Sequence, residues 1–448
     1  MLFLMTGFLL INTMIEQSAL YKTLAIHSQS TRDGSPYGFN TPEEQAFDSR
    51  ALALPNVGII GLTTPLEPAY AKYRKDVLKI DTPHVVVPKG NGSSLSEKLL
   101  TDPQAIQRIK KSQEELDAQF TLSVFDPTNT ERQLLDRFVT EGIQVFPEAN
   151  FDISDELGNK TGFRRFCDRN GIPQLPGGVF TTEEDLKKFL REHSSVIVKH
   201  SISTAGEGQS IITKNNPVTM EHFRIFRNWM EQDGVVAELF MPSASEYSLH
   251  IYIDPVTHKG KVSGIYKQLV KKTETDTLTH YGVIYPLEDL TTEKELSRLG
   301  EETLIPALQK ENYTGPACLD VLAGPDFVHF MDFNARTGAN MYLHRQAEQV
   351  GLVQYGTDAV ALSSLVGLPH EITSFEKFSK RFGHILAPTE NGMLVLTNPG
   401  RHAFGKYDVS AISPHGLAVA QNILATGISE IWGAQKAKAF FARIYQRE

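Results

Sequence analysis

The residues best suited to chemistry lie in one stretch, Gly315–Asn340, which reads GPACLDVLAGPDFVHFMDFNARTGAN. Its pattern predicts two short strands, Ala317–Leu322 and Phe327–Asn334, joined by the turn chemistry of Ala323-Gly324-Pro325-Asp326. Alternation along the second strand sends Phe327, His329, Met331 and Phe333 one way. Val328, Phe330, Asp332 and Asn334 then go the other way, and Arg336 joins them if the extended run continues. Asp320 sits in mid-strand on the neighbouring segment and would face the same cleft. Two carboxylates, a carboxamide and a guanidinium would meet on one patch of sheet. Oxygen ligands of this kind suit Mg²⁺, which takes one or two carboxylates and keeps waters and substrate phosphates. Taken alone, Asp-x-Asn-x-Arg reads better as a surface hairpin carrying an Asp–Arg ion pair, because short motifs match by accident. The upstream chain decides between the two.

Upstream, Ser195–Lys199 (SVIVK) predicts a buried strand ending in a lysine, followed by a loop of small residues, Ser201–Ser210. Ser203, Thr204, Ala205, Gly206 and Gly208 in that loop could bring backbone N–H groups close to phosphate oxygens. The loop is not a Walker sequence, because the Gly-Lys-Ser/Thr end and following helix are missing, and it departs from the kinase spacing. A plain hairpin loop with a snorkelling lysine is the competing reading. Val235–Phe240 and Glu246–Asp254 predict further strands, so Glu238 and Glu246 bracket the link Leu239-Phe240-Met241-Pro242. Backbone groups of such a link could read an adenine edge while the carboxylates hold the amino group and ribose hydroxyls.

Those side chains need a scaffold, and 448 residues suffice for two to four domains. With 41% hydrophobic and 22% charged residues, the composition is that of an ordinary globular protein. A net charge of −9 argues against a nucleic-acid partner, although a local basic pocket is compatible with it. Cys167 and Cys318 are the two cysteines. They can build neither a disulfide framework nor a zinc cluster, which points to a reducing, cytoplasmic setting. The apolar N-terminus is too short to span a membrane and has no basic residue before its apolar run, so it reads as the first strand or helix of the fold.

Residues 1–155 alternate strand and helix patterns, as an open, largely parallel sheet requires. Gly58 and Gly61 follow a strand without a third glycine and are expected to serve a structural turn. Asn159–Gly171 (NKTGFRRFCDRNG) predicts a short basic helix. Thr181 and Glu184 suggest a capping box for a helix reaching about Glu192.

Taken in order, these pieces resemble the ATP-grasp superfamily, over roughly Asn159 to Arg345. The basic helix, ending in Gly-Ile-Pro, is similar to the segment that follows a pre-ATP-grasp domain in peptide-ligase-like members. The resemblance implies an α/β (α+β) fold: a pre-ATP-grasp α/β domain over 1–155, then an ATP-grasp domain over 156–370. That domain would have a nucleotide lobe (156–240) and a metal lobe (241–370) built on antiparallel sheets, with a C-terminal extension over 371–448. It implies ATP contacts from Glu238, Leu239, Phe240, Met241 and Glu246, with Lys160 and Lys199 directed at phosphate. It implies one or two Mg²⁺, or Mn²⁺ in their place, on Asp320, Asp332 and Asn334, with Arg336 and Lys199 acting in catalysis. Many members carry Glu at both metal positions, whereas this chain has Asp. The activity implied is carboxylate–amine ligation through an acyl-phosphate. A kinase on the same scaffold, or an ATP-binding module without turnover, would share the nucleotide motifs. Small amino-acid or peptide substrates are expected near Lys267, Tyr281 and Arg345, with neither membrane nor nucleic acid involved and a homodimer compatible.

Overall fold

The computed structural model describes residues 21–28, 41, 46–202, 208–241, 244–272, 278–285, 287, 289–324, 326–349, 362–367 and 371–445. Runs such as Leu24-Ala25-Ile26 and Ile59-Ile60 are apolar at every position, as strands covered on both faces require. They lie in β1 (Tyr21–Ile26) and β2 (Val57–Gly61), which with β3 (His84–Val86), β4 (Gln119–Val124) and β5 (Val145–Pro147) form a parallel sheet ordered β3-β2-β1-β4-β5. Leu24, Ile26 and Ile59 pack under the helices Pro103–Leu116 and Asn129–Thr140, whereas Ala25 and Ile60 enter a second core on the opposite face. Gly58 and Gly61 lie inside β2 rather than at a turn. A Cβ on Gly58 would stand 2.9 Å from the Phe120 ring, and one on Gly61 would stand 2.8 Å from Ile26. Close packing explains these glycines.

Two antiparallel sheets follow. β6 (Gly177–Phe180), β7 (Ser195–His200), β8 (Gln209–Thr213) and β9 (Val235–Leu239) are ordered β6-β9-β7-β8. The helices Glu183–Glu192 and Met220–Met230 cover that sheet through Leu186, Phe223, Phe226 and Trp229. The N-cap of the first is Thr182, whose hydroxyl meets Asp185, one position later than the pattern predicts. β10 (Ser245–Ile253), β11 (Gly260–Lys272), β12 (Leu278–Ile284), β13 (Gly315–Gly324) and β14 (Phe327–Asn334) are ordered β12-β11-β10-β13-β14. The basic helix, Lys160–Asn170, starts at the N-cap Asn159 and ends at Gly171, whose φ of 63° is left-handed. Its Phe163 and Phe166 join the core of the β10–β14 sheet.

The β13–β14 hairpin departs from simple alternation. Asp320 pairs with Asp332, but the next pair is Val321 with Phe330, so Met331 is an inserted residue. A bulge of this kind reverses the facing of everything beyond it. Phe330 and Phe333 therefore share the apolar core, and Phe330 does not share the face of Asp332 as alternation predicted.

The residues beyond 371 are more than an appendage. β16 (Met393–Thr397) and β17 (Lys406–Ile412) pair with β15 (Leu362–Gly367) in the order β15-β17-β16. Leu394, Val409, Phe375 and Leu424 share one apolar cluster with Ala25, Ile60 and Tyr70. The last part of the chain thus closes the face of the parallel sheet that its own helices leave open. Tyr70 donates its hydroxyl hydrogen to the Leu396 carbonyl at 2.8 Å, and the Glu67 carboxylate accepts from the Phe375 N–H at the start of the helix Phe375–Phe382. Among the described residues, no helix is long and apolar enough to cross a membrane. Phe375 packs on Tyr70 and Tyr73 with ring centroids 5.1 Å away in each case. Phe375→Ala should cost about 3–5 kcal/mol in one cooperative urea transition. A separate early transition of the C-terminal residues alone would contradict the shared core.

Candidate active site

Burial of charge organises the space between the two antiparallel sheets. Lys199, the penultimate residue of β7, is 1% exposed, and Glu238 on β9 is 2% exposed. The Lys199 Nζ lies 2.5 Å from Glu238 Oε1 and 3.5 Å from Asp332 Oδ1 on β14. Lys160, the first residue of the basic helix, reaches the other oxygen of Asp332 at 3.4 Å. Local hydrogen bonds hold the two lysines side by side. The Lys160 N–H donates to the Ser201 carbonyl at 3.0 Å, and Thr161 meets the Ser201 hydroxyl at 3.0 Å. Asn159 donates to Asp233 at 2.8 Å, which fastens the start of the helix to the segment after β9's preceding helix. Burial opposes charge at Asp332, but the Lys160 and Lys199 ammonium groups outweigh it and hold the carboxyl below its usual range. Burial likewise opposes charge at Lys199, yet Asp332 and Glu238 raise it above the ordinary lysine value.

Asp320 completes the acidic side. It is the register partner of Asp332, and it accepts from the Gln268 amide at 2.7 Å and from Asn334 at 3.4 Å. Burial and then the charge of Asp332 raise its pKa. Glu246, on β10, is pushed up to about 7 by burial first and then by Asp320. Among the described residues, no three His, Cys, Asp or Glu side chains gather into a protein-only metal cage. Two adjacent half-buried carboxylates and a carboxamide nevertheless fit Mg²⁺, which completes its shell with water and phosphate oxygens. The raised Asp320 is the observation that favours a cation there.

The structure brings Lys160, Lys199, Glu238, Glu246, Asp320, Asp332 and Asn334 together, but their roles divide differently from the sequence expectation. Glu238 is held under Lys199 and lies 3.6 Å from the Arg164 guanidinium, so its carboxylate sits in ion pairs on both sides. Arg164 was missed. It lies one helical turn beyond Lys160 and donates to the Leu175 and Gly177 carbonyls at 2.9 and 3.0 Å, and the i, i+4 spacing on the basic helix was its signal. Arg336 does not touch the Asp320–Asp332 pair. It turns toward the parallel sheet, 3.5 Å from Asp126, with its guanidinium over the Phe125 ring. Leu239, Phe240 and Met241 follow β9's core positions and are half-buried, and Gly208 sits just before β8 with φ 62°. Ser203, Thr204, Ala205 and Gly206 lie outside the described residues. Lys267 is exposed on β11, Tyr281 lies on β12, and Arg345 pairs with Glu348 at 2.7 Å on its own helix.

No family model matches the chain, and no curated protein matches it in sequence. Solved structures do. Biotin carboxylase from Campylobacter jejuni, in a β,γ-ATP complex, is 12% identical with a TM-score of 0.57 and covers 95% of this chain and 97% of that one. N5-carboxyaminoimidazole synthetase from Staphylococcus aureus, complexed with ADP, is 12% identical with a TM-score of 0.52 and covers 86% and 94%. The biotin carboxylase domain dimer of 2-oxoglutarate carboxylase from Hydrogenobacter thermophilus, with MgADP, ADP and bicarbonate, is 12% identical with a TM-score of 0.53 and covers 91% and 89%. At such identity the likeness carries the fold. The chain has the ATP-grasp fold, with a parallel N-terminal sheet ahead of the two antiparallel sheets.

Breaking one side of a buried ion pair leaves a charge without its partner, at a typical cost of about 3–5 kcal/mol. Lys199→Met should lose stability on that scale in urea unfolding, and adding Glu238→Gln should recover most of it. An additive double variant would deny the pairing. Glu246 gives a pH prediction. Its folded pKa lies above the ordinary 4.5, so its contribution is full below that value and lost as pH rises through about 7. Metal-free wild-type protein should therefore lose stability over that window, and Glu246→Gln should flatten the loss. Parallel melting curves of the two proteins against pH would rule this out.

Proposed function

We propose that this chain is an ATP-dependent, ADP-forming carboxylate–amine ligase that acts on small amino-acid or peptide substrates. The observation that carries the reading is the convergence of Lys160 and Lys199 from one side of a cleft on Asp332 from the other, next to its register partner Asp320. Such an arrangement is suited to a polyphosphate: two cations for its oxygens and a carboxylate pair for the metal it carries. A substrate carboxylate oxygen would attack the γ-phosphorus and ADP would leave. The amine would then attack the acyl carbon, lose a proton and expel inorganic phosphate. Phosphoryl transfer asks the protein for position and charge neutralisation more than for covalent chemistry. Lys160 and Lys199 would exchange Asp332 for phosphate oxygens. Asp320, Asp332 and Asn334 would hold Mg²⁺, or Mn²⁺ in its place, which neutralises charge on the phosphates. Arg336 would meet charge developing on the acyl-phosphate through its planar donor fork. Cys318, buried two residues before Asp320 and pushed up to about 12 by burial and then by Asp320, is no nucleophile.

The neighbours solved with ADP and MgADP support ADP as product. They are a carboxylase and a carboxyaminoimidazole synthetase rather than peptide ligases, so the amino-acid or peptide substrate rests on the motifs of the basic helix. A homodimer belongs to the proposal, in line with the dimer named for the Hydrogenobacter neighbour, and so does a cytoplasmic setting.

An ADP-release screen over amino-acid and peptide pairs, with mass spectrometry of the products, tests the reading. A joined amide with stoichiometric ADP is expected. AMP as product, or a phosphorylated acceptor, would replace it with an adenylate mechanism or a kinase. Under the same conditions Arg336→Ala should lower kcat by about 10²–10³ while leaving Mg·ATP affinity and melting temperature near wild type. An unchanged kcat would return Arg336 to a structural pair with Asp126.

A further inference from the structure

The parallel sheet reverses its strand order between β1 and β4, and ligands of open α/β sheets sit at the carboxyl ends of the strands flanking such a switch point. His27 follows β1 and Phe125 and Asp126 follow β4. Arg336 arrives at this point from the hairpin, 3.5 Å from Asp126 and 4.8 Å over the Phe125 ring. A second guanidinium lies over the same ring. Arg50, in the short helical turn Ala46–Ala53, stands over Phe47, Phe125 and Tyr342 at 4.2, 5.2 and 5.5 Å from their centroids. Its Nε donates to the Phe47 carbonyl at 3.2 Å.

The two arginines near Arg50 have carboxylates beside them, Asp126 for Arg336 and Asp408 for Arg401 at 2.9 Å. Among the described residues, Arg50 has no carboxylate within ion-pair distance and its terminal nitrogens meet no acceptor. Its faces are covered by rings while part of its surface stays open. Burial lowers its pKa to about 10 against the raising influence of Tyr342 and Asp408, with Arg401 and Arg336 adding smaller lowering contributions, and it stays well above neutrality. The imidazole beside it is uncharged: burial and then Arg50 push His27 down to about 3, and its Nδ1 meets the Tyr342 hydroxyl at 2.6 Å. Asp408, the nearest opposite charge, is engaged by Arg401 and Asn398. A fixed guanidinium whose terminal fork meets no acceptor among the described residues is built to take an oxyanion in two parallel hydrogen bonds.

We infer that Arg50 anchors the acid substrate: a carboxylate or phosphate group of the substrate sits on its terminal nitrogens at the switch point, next to Arg336. This rests on the ligase reading for what happens to the bound acid, but not for the binding itself. The turn Ala46–Ala53 would thus select anionic small molecules, and the shared Phe125 ring would keep the held group beside the arginine that meets the reacting phosphoryl group.

The test is anion binding to nucleotide-free protein, by calorimetry at low ionic strength, with succinate and inorganic phosphate as separate probes. Saturable binding of at least one probe by wild type is expected. Arg50→Gln, which keeps the stem against the rings, should weaken it tenfold or more. Arg50→Lys, which keeps the charge and loses the fork, should weaken it severalfold. Both variants should hold Mg·ATP within twofold of wild type and melt near the wild-type temperature. Succinate alone binding would make the ligand a carboxylic acid, and phosphate alone a phosphorylated one. Unchanged affinity in folded Arg50→Gln, or no saturable binding of either probe by wild type, would overturn the inference. Arg50-dependent anion binding in a protein that fails to bind Mg·ATP would instead overturn the ligase reading and leave this site standing.

Discussion

Asp332 is where the charge balance of the molecule is set. Both of its oxygens face ammonium groups, Lys199 at 3.5 Å and Lys160 at 3.4 Å, and Lys199 is shared with the buried Glu238. Charges this deep are tolerated only when they meet partners, because the desolvation penalty for each runs to several kcal/mol. The pairing fixes how the two antiparallel sheets face each other. Glu238 stands on β9, Lys199 on β7, Lys160 on the basic helix and Asp332 on β14, so four elements are registered by one group of charges. The same group is poised for exchange. A triphosphate presents more negative charge to the lysines than Asp332 does, and a divalent cation gives Asp332 and the raised Asp320 a replacement for them.

The outer parts of the chain serve that cleft from a distance. The parallel sheet is closed on one face by its own helices and on the other by β16, β17 and the helix Leu417–Trp432. With the sheet fixed in this way, its carboxyl ends stand opposite Arg336. The polar contacts agree: Asp126 meets Arg336, the Ser49 hydroxyl donates to Asn398 at 2.7 Å, and His27 meets Tyr342. In the proposed reading, the acid substrate would be held at the parallel sheet and phosphoryl chemistry would take place between the antiparallel sheets, with the hairpin arginine between them.

Much of the cleft was legible because its residues sit on regular elements with strong local patterns. Lys199 ends an apolar run, Lys160 opens a capped helix, and Asp320 and Asp332 lie on a hairpin whose turn is written in Gly324, Pro325 and Asp326. The bulge at Met331 was hidden, since an inserted residue leaves no mark in a pattern that alternates on both sides of it. Proximity to the link after β9 points Glu238 at a nucleotide, but it does not show the ion pairs that its strand side chain makes across the sheet with Lys199 and Arg164. Arg50 and the closure by residues beyond 371 depend on contacts across hundreds of positions, such as Arg50 with Tyr342. No local periodicity reports such pairings.

In the proposed mechanism Asp332 is held by lysines until nucleotide and metal replace them. The most direct measurement is the affinity for ATP as a function of Mg²⁺, by calorimetry, in wild type and Asp332→Asn. Wild type should gain affinity steeply with Mg²⁺. The variant should bind metal-free ATP at least as tightly as wild type, because its lysines are released and one facing negative charge is gone, and should gain little from added metal. Parallel Mg²⁺ dependences in the two proteins would contradict the exchange.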